Sequence, residues 1–204
     1  MTSPIETVMR TAPVIPVLVI DDVASAAPIA AALVAGGLPV LEVTLRTPVA
    51  LDVIREMAAV DGAIVGAGTV LNPAQLDQAL DAGAQFIVSP GLTDPLARAA
   101  IDRQAAFLPG IANASDIMRG LDLGLDRFKF FPAESSGGIR ALRALSGPFG
   151  DVRFCPTGGI TPATAGEWLD EEAVLCVGGS WLVKAGMDMD GITKNAQRAA
   201  QLRR

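Results

Sequence analysis

Short apolar runs punctuate the chain at intervals of roughly 20 to 25 residues, the length of one strand plus one helix in a compact unit. They fall at residues 14–20, 40–45, 63–65, 86–88, 105–108, 128–131, 152–155 and 174–177. Several are apolar almost throughout, the pattern of parallel strands covered on both faces. Eight parallel strands are expected.

Between the runs, helix signals share one opening. Thr47-Pro48, Asn72-Pro73, Asp94-Pro95 and Thr161-Pro162 each set a capping side chain before a proline. The cap oxygen accepts an orphan backbone N–H, and the proline fills a position whose N–H has no helical partner. Gly36, Gly83 and Gly124 stand where helices should stop. Further helices are expected near residues 5–10 and 192–202, flanking the first and last strands. Eight strand–helix units mean either a (β/α)8 TIM barrel or an open doubly wound sheet. No linker, low-complexity stretch or change of composition divides them, which favours one barrel domain over residues 1–204. The chain is short for that architecture, so its loops must be brief.

Composition narrows the chemistry. Sixteen basic and 22 acidic side chains leave a formal charge of −6. That balance argues against a nucleic-acid or anionic-membrane partner, which would call for a basic surface. Residues 23–41 carry no charge, but Pro28, Gly36, Gly37 and Pro39 interrupt them, so they read as a helix and the start of a strand rather than a membrane span. Residues 1–11 carry Pro4 and Glu6 and lack the basic-then-apolar order of a signal peptide. The absence of His and Tyr excludes a Ser-His-Asp triad, a Cys-His pair and imidazole metal ligation. Proton transfer falls to a carboxylate, a lysine, a thiol or water. No phosphate-binding GxxxxGK[ST] or GxGxxG follows a strand, and neither a metal nor an organic cofactor is expected. Cys155 and Cys176 lie in apolar runs and read as core; two cysteines make no secreted disulfide framework, which points to a reducing cytoplasm.

Barrel chemistry sits at the carboxyl ends of the strands, where this chain places few polar groups. Of its three lysines, Lys184 and Lys194 fall after the last strand and read as solvated, whereas Lys129 lies inside Phe128-Lys129-Phe130-Phe131-Pro132. Desolvation there disfavours an ammonium and yields the free amine a nucleophile needs. The alternatives are a lysine snorkelling from the strand end or one held in an ion pair. Glu42 is the only acid embedded midway along such an apolar strand. Strand alternation puts Glu42, Thr44 and Arg46 on one side, roughly 6.6 Å apart in sequence order, so a structural Glu42–Arg46 ion pair competes with a catalytic reading. Gly66-Ala67-Gly68-Thr69 closes the third strand, Thr157-Gly158-Gly159 the seventh and Gly178-Gly179-Ser180 the eighth. Barrels often hold phosphate after strands seven and eight on converging backbone N–H groups, and Ser180 adds a hydroxyl, although tight turns need glycine anyway. Trp168 and Trp181 read as packing residues, and Glu134, Asp21 and Asp22 as solvated loop or cap carboxylates.

A strand lysine that attacks a carbonyl forms a protonated imine, which acts as an electron sink. A nearby carboxylate moves protons, and Arg46 offers a fork for a substrate carboxylate. These groups fit retro-aldol cleavage of a small phosphorylated 2-keto acid. The segments Glu42-Val43-Thr44-Leu45-Arg46, Gly66-Ala67-Gly68-Thr69, Ser89-Pro90-Gly91, Phe128-Lys129-Phe130-Phe131-Pro132, Cys155-Pro156-Thr157-Gly158-Gly159-Ile160 and Gly178-Gly179-Ser180-Trp181 closely resemble the 2-keto-3-deoxy-6-phosphogluconate (KDPG) and 4-hydroxy-2-oxoglutarate (KHG) aldolase family. The resemblance implies a homotrimeric (β/α)8 barrel, a class I aldolase of the Entner–Doudoroff pathway that yields pyruvate and glyceraldehyde 3-phosphate. It also implies roles: Lys129 for the Schiff base, Glu42 as general acid/base, and Arg46 and Thr69 with Lys129 on the pyruvate part. Thr157 would bear on the C4 configuration, and Gly158, Gly159, Gly178, Gly179 and Ser180 would form the phosphate pocket. Gly110-Ile111-Ala112-Asn113 departs from the Thr-containing loop of that family. Other readings are 4-hydroxy-2-oxoglutarate as main or side substrate, a phosphosugar isomerase or epimerase, and a non-catalytic phosphate-ligand binding barrel.

Overall fold

The computed structural model describes residues 3–202. Its strands are β1 (Val14–Leu18), β2 (Val40–Thr44), β3 (Ile64–Gly68), β4 (Phe86–Val88), β5 (Ala106–Leu108), β6 (Gly110–Ile111), β7 (Arg127–Phe130), β8 (Arg153–Pro156) and β9 (Val177–Gly179). The helices are α1 (Pro4–Thr11), α2 (Ala26–Ala35), α3 (Ala50–Ala58), α4 (Pro73–Asp81), α5 (Asp94–Asp102), α6 (Ala114–Asp122), α7 (Gly138–Ser146), α8 (Ala165–Leu169) and α9 (Met189–Ala200). This is an α/β fold with a curled parallel sheet. Six strands run in the order β5-β4-β3-β2-β1-β9 and three in the order β6-β7-β8. The expected fifth strand, a run ending at Leu108, is followed by a further short one: Pro109 has no N–H to give to a ladder, and pairing resumes at Gly110 as β6 in the second sheet. Isolated parallel bridges pair Phe154 with Val174 and Thr157 with Gly178, bringing β8 alongside β9.

Strand alternation sorts the side chains into two cores. Leu41, Val43, Val65, Ala67, Ile87, Phe128 and Phe154 join helix residues such as Leu33 and Met57 in the outer cluster. Ile15, Val40, Phe86, Val88, Leu108, Cys155 and Cys176 form the inner one, and Ile5 and Met9 of α1 belong to it. Helix α1 therefore stoppers the amino ends of the strands. Ser3 starts it by accepting the Glu6 N–H, with Pro4 in the first turn. Glu6 then accepts from Arg10 Nε at 2.7 Å and from Arg127 Nε and Nη2 at 3.1 and 2.8 Å, tying α1 to the foot of β7. The Arg10 hydrogen bond, opposed by burial and helped by Arg127, holds the Glu6 carboxyl below its ordinary range.

Several expected boundaries shift. Strand β3 runs on through Gly66 and Gly68, and β9 begins only at Val177, later than the apolar run. For β3 the reason is packing: a Cβ on Gly66 would stand 2.5 Å from the Phe86 ring, so glycine lets the interior close there. Asn72 caps α4 by accepting the Gln75 N–H at 3.0 Å, and Thr161 accepts the Thr164 N–H ahead of α8. Thr47 is no cap, however, because its hydroxyl donates to the Ile20 carbonyl, and Asp94 already lies inside α5. The left-handed stop after α2 is Gly37 at φ +88°, while Gly36 is required by α9, whose Thr193 carbonyl oxygen would lie 2.9 Å from an added Cβ. After α5 the same left-handed position is filled by Gln104, at φ +53°. The uncharged stretch 23–41 becomes a 3-10 turn (Val23–Ser25), α2 and the start of β2. Among the described residues no helix is long and apolar enough to cross a membrane.

Candidate active site

β2 and β7 carry Glu42 and Lys129, 87 residues apart in sequence, to one point inside the curl. Lys129 Nζ lies 2.9 Å from Glu42 Oε1, and the side chains are only 7% and 4% exposed. Burying two ionisable groups side by side is a poor route to stability compared with apolar packing, so the pair needs another explanation. In register, Lys129 stands between Gly110 and Cys155, and Glu42 between Val17 and Gly66. The Phe131 ring centroid is 5.5 Å from Nζ. Space for the carboxylate comes from Gly68: a Cβ there would stand 2.7 Å from Glu42 Cγ and 2.8 Å from Cδ.

Lys129 thus has a charged partner, and Glu42 pairs with it rather than with Arg46. The ion pair and proton transfer are compatible, because the contact that joins the groups also lets the carboxylate take a proton from the amine. Thr44, on the same side of β2, is buried and donates to the Leu18 carbonyl at 2.8 Å, a tie between strands. Arg46, exposed just beyond β2, donates through Nε to Thr69 Oγ1 at 3.4 Å. Thr69 sits at φ +58°, an uncommon conformation for a β-branched residue, of the kind found where structure over-determines a functional position.

Just past the carboxyl end of β8, at the same end of the sheet as Arg46 and Thr69, Thr157 is buried and donates to the Cys155 carbonyl at 3.4 Å. Gly158 and Gly159 follow at φ +103° and +82°, a conformation that glycine adopts without strain. Gly178 and Gly179 differ from expectation: they are strand residues of β9, paired with Ile15 and Pro16. Their lack of a side chain answers to neighbours, since added Cβ atoms would stand 2.8 Å from Thr157 Cγ2 and 2.6 Å from the Trp181 ring. Ser180 is exposed beyond them.

Asn113 in the divergent loop caps α6, accepting the Asp116 N–H at 3.1 Å, while Asp116 accepts from Ala112. Lys184 and Lys194 are exposed, Cys155 and Cys176 are buried in the inner core, and Asp22 caps the 3-10 turn. Glu134 is more than a solvated loop acid. It accepts the Trp168 Nε1–H at 3.0 Å, a bond that local sequence pattern does not reveal.

The fold and this constellation define an α/β protein with a lysine and a carboxylate buried in contact inside a parallel sheet. A model of the family described as "KDPG and KHG aldolase" matches residues 5–196. The 2-dehydro-3-deoxy-phosphogluconate aldolase of Zymomonas mobilis is 61% identical over 201 residues, covering 98% of this chain and 97% of its own. The crystal structure of the 2-keto-3-deoxy-6-phosphogluconate aldolase of Z. mobilis ZM4 with 3-phosphoglycerate matches with a TM-score of 0.98 at 60% identity, over 100% of this chain and 98% of that one. The KDPG aldolase of Legionella pneumophila, with pyruvate captured at low pH as a covalent carbinolamine intermediate, matches with a TM-score of 0.94 at 43% identity, over 98% and 99%. The chain belongs to the KDPG and KHG aldolase family.

Proposed function

We propose that this protein is a class I aldolase cleaving KDPG to pyruvate and glyceraldehyde 3-phosphate, with Lys129 as its Schiff-base amine and Glu42 as its acid/base. The observation that carries the reading is the 2.9 Å contact between these two groups inside the sheet. Near-identity in fold and 61% identity to a relative named for that activity support it, and the same comparisons do not favour KHG as main substrate or an isomerase.

The chemistry runs through these residues. Lys129 Nζ adds to the C2 ketone, giving a carbinolamine; Glu42 carries the proton from nitrogen to the leaving hydroxyl, and water departs to leave the imine. Glu42 then takes the proton of the C4 hydroxyl. The C3–C4 bond breaks, its electron pair flows into the imine to form an enamine, and the aldehyde leaves. Protonation at C3 and hydrolysis release pyruvate and restore the amine. Arg46 with Thr69 would hold the keto-acid carboxylate. Thr157, at the β8 rim, would bear on the C4 hydroxyl. The tail phosphate would rest on Gly158, Gly159, Gly178, Gly179 and Ser180. Among the described residues no group accepts the Gly158 or Gly159 N–H, which suits an anion nest.

The same reading extends to the whole chain. The two sheets would be arcs of one closed (β/α)8 barrel in a single domain, since only Pro109 separates β5 from β6 and the Thr157–Gly178 bridge joins β8 to β9. A homotrimer is what the family resemblance implies and a cytoplasmic location what the cysteine usage points to, and sedimentation would count the subunits. Borohydride reduction in the presence of pyruvate tests the core of the proposal: the adduct is expected on Lys129, and an adduct on Lys184 or Lys194 instead refutes it.

A further inference from the structure

We infer that Glu134 is a positioning residue for the phosphate end of the site, holding the Gly158-Gly159 turn against the segment that follows the reactive lysine; this rests on the phosphate pocket proposed above. The segment after β7 runs beside the segment after β8, with the Ala133 N–H donating to the Thr157 carbonyl at 2.8 Å and the Glu134 N–H to the Gly158 carbonyl at 3.1 Å. The second bond fixes the peptide between Gly158 and Gly159. The Glu134 side chain then folds over the turn: a Cβ on Gly159 would stand 2.7 Å from Glu134 Cβ and 2.6 Å from its Cγ. Its Oε1 accepts the Trp168 Nε1–H at 3.0 Å.

Trp168 is completely buried in α8, with its ring 6.3 Å from that of Phe130, the residue after Lys129. An indole N–H buried at such a site needs an acceptor, and an exposed acid supplies it. Glu134 thereby joins three parts: its backbone N–H holds the glycine turn to the end of the lysine strand, while its side chain covers Gly159 and reaches the helix behind that turn. The glycines are mobile by nature, with no side chain of their own to fix them. Glu134 is what holds their N–H groups in one arrangement before an anion arrives. The bond needs an acceptor oxygen and not a charge, so the amide of glutamine can replace the carboxylate.

Steady-state kinetics with KDPG and with unphosphorylated 4-hydroxy-2-oxoglutarate test this on the full chain. Glu134→Ala is expected to raise KM for KDPG about tenfold, as loss of one such anchor implies. Turnover of the unphosphorylated substrate and borohydride trapping of pyruvate on Lys129 should stay within about twofold. Glu134→Gln should restore the KDPG KM. Trp168→Phe, which keeps the ring and deletes the N–H, should reproduce most of the Glu134→Ala effect and add little to it in the double variant. Equal losses on both substrates, or a glutamine variant as impaired as the alanine one, would overturn the inference in favour of plain stabilisation. Wild-type protein that shows no preference for the phosphorylated substrate would bring down the phosphate pocket and this inference together. A wild-type preference that Glu134→Ala leaves untouched would overturn the inference alone.

Discussion

Gly68→Ala is the sharpest single perturbation the geometry offers, because it adds one methyl group and touches one functional atom group. The backbone at Gly68 is not in the left-handed region, so alanine meets no conformational penalty there. The obstacle is Glu42, whose Cγ and Cδ would lie 2.7 and 2.8 Å from the new carbon. Carbon atoms in contact sit about 3.5–4.0 Å apart, so the side chain must retreat by about 1 Å. A carboxylate is the free end of a flexible chain and can give way, so the expected cost in stability is only about 1 kcal/mol, or about 2–4 °C in Tm for a protein of this size. The retreat separates Oε1 from Lys129 Nζ, now at 2.9 Å. Misplacing a reacting group by about 1 Å can lower turnover about 100-fold. The assay pairs kcat, from pyruvate release, with Tm by calorimetry, and Glu42→Gln serves as the benchmark for losing the acid/base outright. A Gly68→Ala protein within threefold of wild type in kcat would refute the placement of Glu42 as proton carrier. A loss of activity matched by collapse of Tm would show instead that the glycine serves packing.

The tether at the foot of β7 has a pH signature. Because Glu6 titrates below its ordinary range when folded, its stabilisation is present above the ordinary value of 4.5 and fades as pH falls through that value and then the folded one. Glu6→Gln should therefore lower Tm at pH 7 and leave a difference from wild type that shrinks toward pH 3; a gap constant with pH would sink this account. Gln104→Gly should raise stability by about 0.5–1 kcal/mol, since glycine adopts the φ +53° position after α5 without strain. A fall in Tm on that exchange would contradict it.

Sequence pattern carried the outline of the fold because burial on both faces of a parallel strand leaves a run that local reading can detect. It also singled out Lys129 and Glu42, since a charged residue inside such a run is costly and therefore conspicuous. Contacts within one segment, such as the Asn72 cap of α4, were legible because donor and acceptor are three residues apart. Those whose partners lie far along the chain were not. Thr47 reads as a cap and instead donates to Ile20; Gly178 and Gly179 read as a loop and are strand residues shaped by Thr157 and Trp181.

Residue order alone therefore marks which residues are anomalous: one amine and one acid set among apolar neighbours, and glycine pairs near strand ends. What each anomaly faces is fixed by the folding of distant segments against one another. Whether Glu42 meets Arg46 four residues on or Lys129 across the interior depends on how the sheet curls, and curl is a sum of small strand twists that no local window encodes. The strained Thr69, the space left by Gly68 and the bond from Trp168 to Glu134 belong to that level too. Each exists because surfaces from distant segments must fill one interior at close-packed density, a condition imposed on the folded chain as a whole.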